Sequence, residues 1–140
     1  MSRQTACVLD SSAILALILN EPGSEDLDES LNAAVSLLVG TPTLVETAMV
    51  LISRLGAAEG MTSLLSFLHR TNCDTVDFTA LHFAEAAGAF ERYGKGRHSA
   101  RLNMGDCNSY AIAKVAGVPL LYKGNDFALT DLPVLTLPEG

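Results

Sequence analysis

The sequence predicts a three-layer α/β domain built on a mostly parallel sheet. Short apolar, β-prone runs alternate with helical stretches of about ten residues, the pattern of strands joined by crossover helices. Acidic or turn residues close several of those runs, as strand ends require. A length of 140 residues is enough for one substantial core, so 1–140 is read as a single domain.

Residues 5–10 (Thr-Ala-Cys-Val-Leu-Asp) are too short for a helix and end on Asp10, which marks a first strand. Ser11 and Ser12 are N-cap types ahead of a short helix over 13–19. Glu21-Pro22-Gly23 turns the chain into an acidic helix over 24–32, with Leu27 and Leu31 at i, i+4 on its inner face. A second strand is expected over 35–40. The next helix, 44–55, has Thr41 or Thr43 as its cap and Gly56 as its stop. Residues 59–69 form an amphipathic helix with Leu64, Leu65 and Leu68 inward, 73–76 a third strand, and 78–93 a long alanine-rich helix. Gly94-Lys95-Gly96 breaks that helix into a basic loop. Helix resumes over 103–116, Gly117-Val118-Pro119 turns, and 119–122 is a further strand. A short turn or helix over 125–130 and a last strand over 134–137 follow. In open parallel sheets, ligands bind beyond the carboxyl ends of the strands. The residues closing 5–10 and 119–122 are therefore where chemistry is expected.

Composition narrows the class. The chain is rich in Ala, Leu and Val and has no apolar run near the roughly 20 residues that cross a bilayer. No secretory signal precedes residue 10, and Cys7, Cys73 and Cys107 form no CxxC pair. Reduced thiols in a cytoplasmic protein, with no membrane partner, are expected. A net charge of −7 argues against a broad phosphate-binding face. Four of the nine Lys and Arg residues nevertheless fall at Arg92, Lys95, Arg97 and Arg101, with His98 among them. That cluster is a solvated loop unless it lies beside an anionic substrate's site.

Four acids stand out. Asp10 ends the first strand, where it can ligate a cation or cap the following helix. Glu46 is the only acid between Glu29 and Glu59 and lies on a helix of Leu, Val, Ala and Met. A half-buried carboxylate there needs a metal, a cation or donors nearby, and a solvent-facing Glu is the alternative. Asp106 opens a helix, where its charge suits the dipole. Asp126 follows Gly124-Asn125 after the 119–122 strand, where turn chemistry is a sufficient reason. Each acid has an ordinary explanation; the set does not. At 4 Å and an effective dielectric of 20, each like-charged pair costs about 4 kcal/mol. A hard cation or protonation must offset that. Oxygen ligands without His or Cys favour Mg²⁺ or Mn²⁺, and such a cation activates water for in-line attack on phosphorus.

In order along the chain, Val8-Leu9-Asp10-Ser11-Ser12-Ala13, Leu44-Val45-Glu46-Thr47-Ala48 and Leu102-Asn103-Met104-Gly105-Asp106-Cys107 resemble the PIN-domain pattern. Tyr110-Ala111-Ile112-Ala113-Lys114 and Leu120-Leu121-Tyr122-Lys123-Gly124-Asn125-Asp126-Phe127 complete it. Together with Tyr93-Gly94-Lys95-Gly96-Arg97-His98, the pattern looks most like VapC-type toxins of bacterial toxin–antitoxin pairs. The resemblance implies a three-layer α/β/α PIN fold and an endoribonuclease using Mg²⁺ or Mn²⁺. It further implies a homodimer, a VapB-type antitoxin that covers the active site, and assembly into larger toxin–antitoxin complexes. By position, Asp10, Glu46, Asp106 and Asp126 match the family's acids, with Asp10, Asp106 and Asp126 as metal ligands. Many relatives space the last acidic pair differently, which leaves Asn125 as a helper at the fourth position. Ser12 matches a hydroxyl position beside the first Asp that binds phosphate or water.

Lys95, Arg97 and Arg101 shortly precede Asp106, so the basic loop is expected at the rim of the acids, where it would hold RNA phosphates. His98 reads as a surface residue of that loop, and Cys107, Tyr122 and Phe127 as core. An aspartyl-phosphate enzyme of the haloacid-dehalogenase type is disfavoured, since Ser12 stands where a second Asp is needed. No GxGxxG follows the first strand, which excludes a dinucleotide site. A PIN-like module that binds RNA or protein without cutting is the remaining alternative.

Overall fold

Four strands form the sheet: β1 (Cys7–Leu9), β2 (Leu37–Gly40), β3 (Asp74–Val76) and β4 (Leu120–Leu121). Their spatial order is β3-β2-β1-β4, and every neighbouring pair is parallel. This computed structural model describes residues 6–133, so the strand expected over 134–137 lies outside the described residues. Helices α1 (Ser11–Ile18), α2 (Ser24–Ala33), α3 (Thr41–Leu55), α4 (Ala57–Thr71), α5 (Ala80–Tyr93) and α6 (Met104–Ala116) fill the connections. A short 3-10 helix, Asp126–Leu129, follows β4.

The layers follow from the two-residue period of the strands. Cys7 and Leu9 pack into one core with Ile14, Leu27, Leu51, Leu64 and Phe67, which come from α1 to α4. Val8, between them, points the other way and packs with Ala89, Leu102, Tyr110 and Ile112 of the α5–α6 side. Leu120 and Leu121 divide in the same manner. Helices thus cover both faces, α3 packing on α4 and α5 on α6. The expected three-layer architecture is what the chain adopts. Among the described residues, no helix is long and apolar enough to cross a membrane.

Three local expectations are corrected. Neither Ser11 nor Ser12 caps α1. The last extended residue is Asp10 (φ −83, ψ 158), whose carboxylate accepts the Ser12 amide. Neither Thr41 nor Thr43 caps α3, because Gly40 occupies that position and Pro42 fills the first turn, where its missing N–H costs nothing. Leu65 is exposed, at 57%. Phe67 takes the inner position instead, three residues after Leu64 and on its stripe.

Candidate active site

Asp10 is placed at its strand end by β4, α6 and the start of α1. Its amide donates to the Leu121 carbonyl at 2.9 Å, tying it to β4, and its side chain is almost fully buried. Oδ2 accepts from the Ser12 hydroxyl at 2.6 Å and the Ser12 amide at 3.1 Å. Oδ1 accepts from the Ser109 hydroxyl of α6 at 2.6 Å. The Ser12 oxygen in turn accepts the Lys123 amide at 3.0 Å, so the segment after β4 is fastened to the same corner.

Glu46 is half-buried on α3, as its isolation among apolar residues suggested. Its carboxylate lies over the first turn of α6. A Cβ at Gly105 would stand 2.6 Å from Oε2 and 2.7 Å from Oε1, so glycine leaves the Glu46 carboxylate the space it occupies there. Burial raises the Glu46 pKa, the charge of Asp10 adds to this, and the Ser11 side chain opposes it.

Asp106 sits in the first turn of α6 in a capping box: its amide donates to Asn103 Oδ1 at 2.9 Å, and its Oδ2 accepts the Asn103 amide at 3.1 Å. Its pKa is pushed up to about 6. Burial is the main cause, the Asn103 bond works against it, and the charges of Asp10, Asp126 and Glu46 push the same way as burial. The charges of all three other acids therefore bear on Asp106, and Asp10 and Asp126 follow the carboxyl ends of β1 and β4. Asp126 opens the 3-10 helix and is exposed, as is Asn125, whose side chain makes no capping bond.

The basic loop is a closed structure rather than an open excursion. Lys95 donates its amide to the Leu102 carbonyl, and Leu102 donates to Tyr93. His98 is half-buried: its Nδ1 accepts the Ala100 amide at 2.9 Å and its ring meets Tyr93 edge-on at 5.2 Å. It is a staple of the loop, correcting its reading as a surface residue. Arg92 turns away to the Tyr110 hydroxyl at 3.1 Å. Lys95, Arg97 and Arg101 are exposed, and among the described residues none forms an ion pair. The Arg97 guanidinium lies 5.5 Å from the centre of the Phe90 ring. The loop leads directly into Asn103 and α6, while its cationic side chains make no hydrogen bond to the acids.

Among the described residues, no three Asp, Glu, His or Cys side chains close up into a ready-made metal-ligand cluster. The donor set is nonetheless that of a hard cation: carboxylate oxygens with hydroxyls beside them and no imidazole. Mg²⁺ keeps several waters and takes one or two protein carboxylates, which the Asp10–Asp106 corner can supply. Cys107 is buried, with its pKa raised to about 11 chiefly by burial, and packs in the α5–α6 core. Sequence reasoning missed Ser109, Thr43 and Gly105. Ser109 and Glu46's neighbour Gly105 were visible only as residues of a helix. The available signal was position: Ser109 lies one turn after Asp106, Thr43 one turn before Glu46, and Gly105 directly precedes Asp106.

The PIN domain family pattern matches residues 7–132, and the chain belongs to that family. Within it, the chain is similar to Ribonuclease VapC30 of Mycobacterium tuberculosis, 42% identical over 131 residues that cover 94% of this chain and 99% of the relative. Ribonuclease VapC of Mycolicibacterium smegmatis is 44% identical over 125 residues, covering 89% and 96%. The solved structure of VapC20 from M. tuberculosis, a sarcin-ricin loop cleaving toxin, has the same fold. Its TM-score is 0.74 at 17% identity, over 94% of this chain and 99% of that one.

Proposed function

We propose that the chain is an endoribonuclease dependent on Mg²⁺ or Mn²⁺ and the toxin of a VapC-type toxin–antitoxin pair. What supports this is that the charges of Asp10, Glu46 and Asp126 all bear on Asp106, in a PIN fold whose relatives at 42–44% identity are VapC ribonucleases. Asp10 and Asp106 would hold the cation, with Asp126 as the outer ligand and Asn125 beside it. When bound, the cation supplies charge for the scissile phosphate and lowers the pKa of water. Glu46, with its proton affinity raised by burial, would take a proton from the attacking water. Ser12 donates its hydroxyl to Asp10 and accepts the Lys123 amide, tying residue 123 to the same corner. Lys95, Arg97 and Arg101 contact RNA phosphates on approach, positioning the strand without reading its sequence.

An apolar groove of about 550 Å³ opens beside Glu46, lined by Pro42, Val45, Met49, Val50 and Met104. We assign it to a VapB-type antitoxin segment, which would cover the acids from there. The homodimer belongs to the same proposal, and the exposed Phe83 and Phe90 on α5 offer apolar area outside that groove for it.

Asp10→Asn and Asp106→Asn test the catalytic reading. Each is expected to abolish Mg²⁺-dependent RNA cleavage while circular dichroism stays that of the parent; cleavage at parental rate by either variant would sink it. Expression of the chain alone is expected to arrest growth, with rescue by its neighbouring reading frame.

A further inference from the structure

Three of the acids arrive on three different elements: Asp10 after β1, Glu46 on α3 and Asp106 on α6. One chain of buried hydroxyls joins those same elements. Ser109 of α6 donates to Asp10 Oδ1 at 2.6 Å, and Thr43 of α3 lies 3.1 Å from the Ser109 hydroxyl. Ser109 is 0% exposed and Thr43 2%. A hydroxyl has one hydrogen to give. With the Ser109 hydrogen committed to Asp10, Thr43 must donate to Ser109, and the chain is polarised toward the carboxylate.

The spacing gives this chain its consequence. Thr43 precedes Glu46 by three residues, and Ser109 follows Asp106 by three, so each hydroxyl shares a helix face with an acid one turn away. Fixing Thr43 to Ser109 and Ser109 to Asp10 therefore fixes where α3 and α6 present Glu46 and Asp106 relative to Asp10.

We propose that Ser109, backed by Thr43, is a positioning residue for the divalent cation: it orients the Asp10 carboxylate and sets the spacing of the three acids around it. The proposal rests on the metal-site reading given above. Outer partners of ligating carboxylates typically change metal affinity by about 10- to 100-fold when removed. The test is a Mn²⁺ titration without RNA, following free Mn²⁺ by electron paramagnetic resonance, with a thermal melt of each variant alongside. Ser109→Ala is expected to weaken Mn²⁺ binding about tenfold or more. Thr43→Val, which keeps the shape but loses the hydroxyl, should weaken it in the same direction, and Thr43→Ser should recover most of that loss. A purely structural role would lower the melting temperature and leave Mn²⁺ affinity unmoved. Parental affinity in both Ser109→Ala and Thr43→Val overturns the proposal. Asp10→Asn separates the two levels. If it abolishes Mn²⁺ binding while Ser109→Ala and Thr43→Val both keep the parent's affinity, positioning alone fails; if it binds Mn²⁺ as the parent does, the metal site fails with it. Should Ser109→Ala not fold, the Thr43→Val and Thr43→Ser pair decides.

Discussion

The Asp106 carboxyl, pushed up to about 6 from an ordinary 3.8, links the site to stability. The folded protein holds this proton more tightly than the unfolded chain and so binds more protons between those two values. Stability therefore falls as pH rises from about 4 through about 6. In metal-free buffer, Asp106→Asn is expected to melt higher than the parent at pH 7.5, with the difference closing toward pH 4. Equal melting of the two proteins at both pH values would show that Asp106 carries no such load. A second residue-scale prediction concerns Gly105. The nearest atoms to an added methyl there belong to the flexible end of Glu46, so the carboxylate can move aside. Gly105→Ala should leave the melting temperature near the parent's and cut RNA cleavage about tenfold or more, since a small misplacement at a site costs that much. A fall in stability with full activity would contradict it. Individual acids were legible from where they fall: Asp10 closes an apolar strand, Asp106 opens a helix, Asp126 follows the last described strand, and Glu46 stands alone on an apolar helix. Ser109 was not legible: a serine in a helix looks the same whether it faces water or a carboxylate far earlier in the chain.

Helix α6 brings most of the site together. Its N-cap, Asn103, both starts the helix and holds Asp106 through reciprocal bonds. Asn103→Ala is expected to lower the unfolding free energy by about 1 kcal/mol, the usual worth of such a cap, measured by urea denaturation. It should also lower cleavage by loosening Asp106, and a stability loss with unchanged cleavage would separate the two roles. At its other end, Tyr110 and Lys114 hold Asp131, with Lys114 Nζ at 2.8 Å from Oδ2. That lowers the Asp131 pKa to about 2, through Lys114 first and Tyr110 second. The stability this contributes is present above the ordinary carboxylate range and is lost as pH falls from about 4 through about 2. Strand and helix order was readable from period and turn residues. Cap positions were less so, because Asp10, Ser11 and Ser12 are all good caps by type. Only the backbone's path off β1 selects among them.

Across the whole molecule, a net charge of −7 would oppose nucleic acid at long range. Under the proposed function, affinity for RNA would then depend on a few local cations, and its salt dependence would measure how many. Lys95→Ala with Arg97→Ala is expected to weaken RNA binding and reduce the slope of log affinity against log salt by about 0.7 for each single-strand phosphate that is no longer neutralised. An unchanged slope would remove the loop from the interface. The sequence showed this cluster but not its form. Nothing in the spacing of Lys95, Arg97 and Arg101 reveals that main-chain bonds close it.

Closure by main-chain bonds separates the loop's route from its cargo. Lys95, Arg97 and Ser99 contribute no side-chain hydrogen bond to it among the described residues, whereas the amides of 95, 97, 98, 101 and 102 do. The three outward positions can thus be rewritten, in charge or in size, while residues 94–102 keep their course into Asn103 and α6. Such a loop behaves as a cassette: under the proposed function, its outward charge could be retuned without disturbing the carboxylates assigned to cleavage.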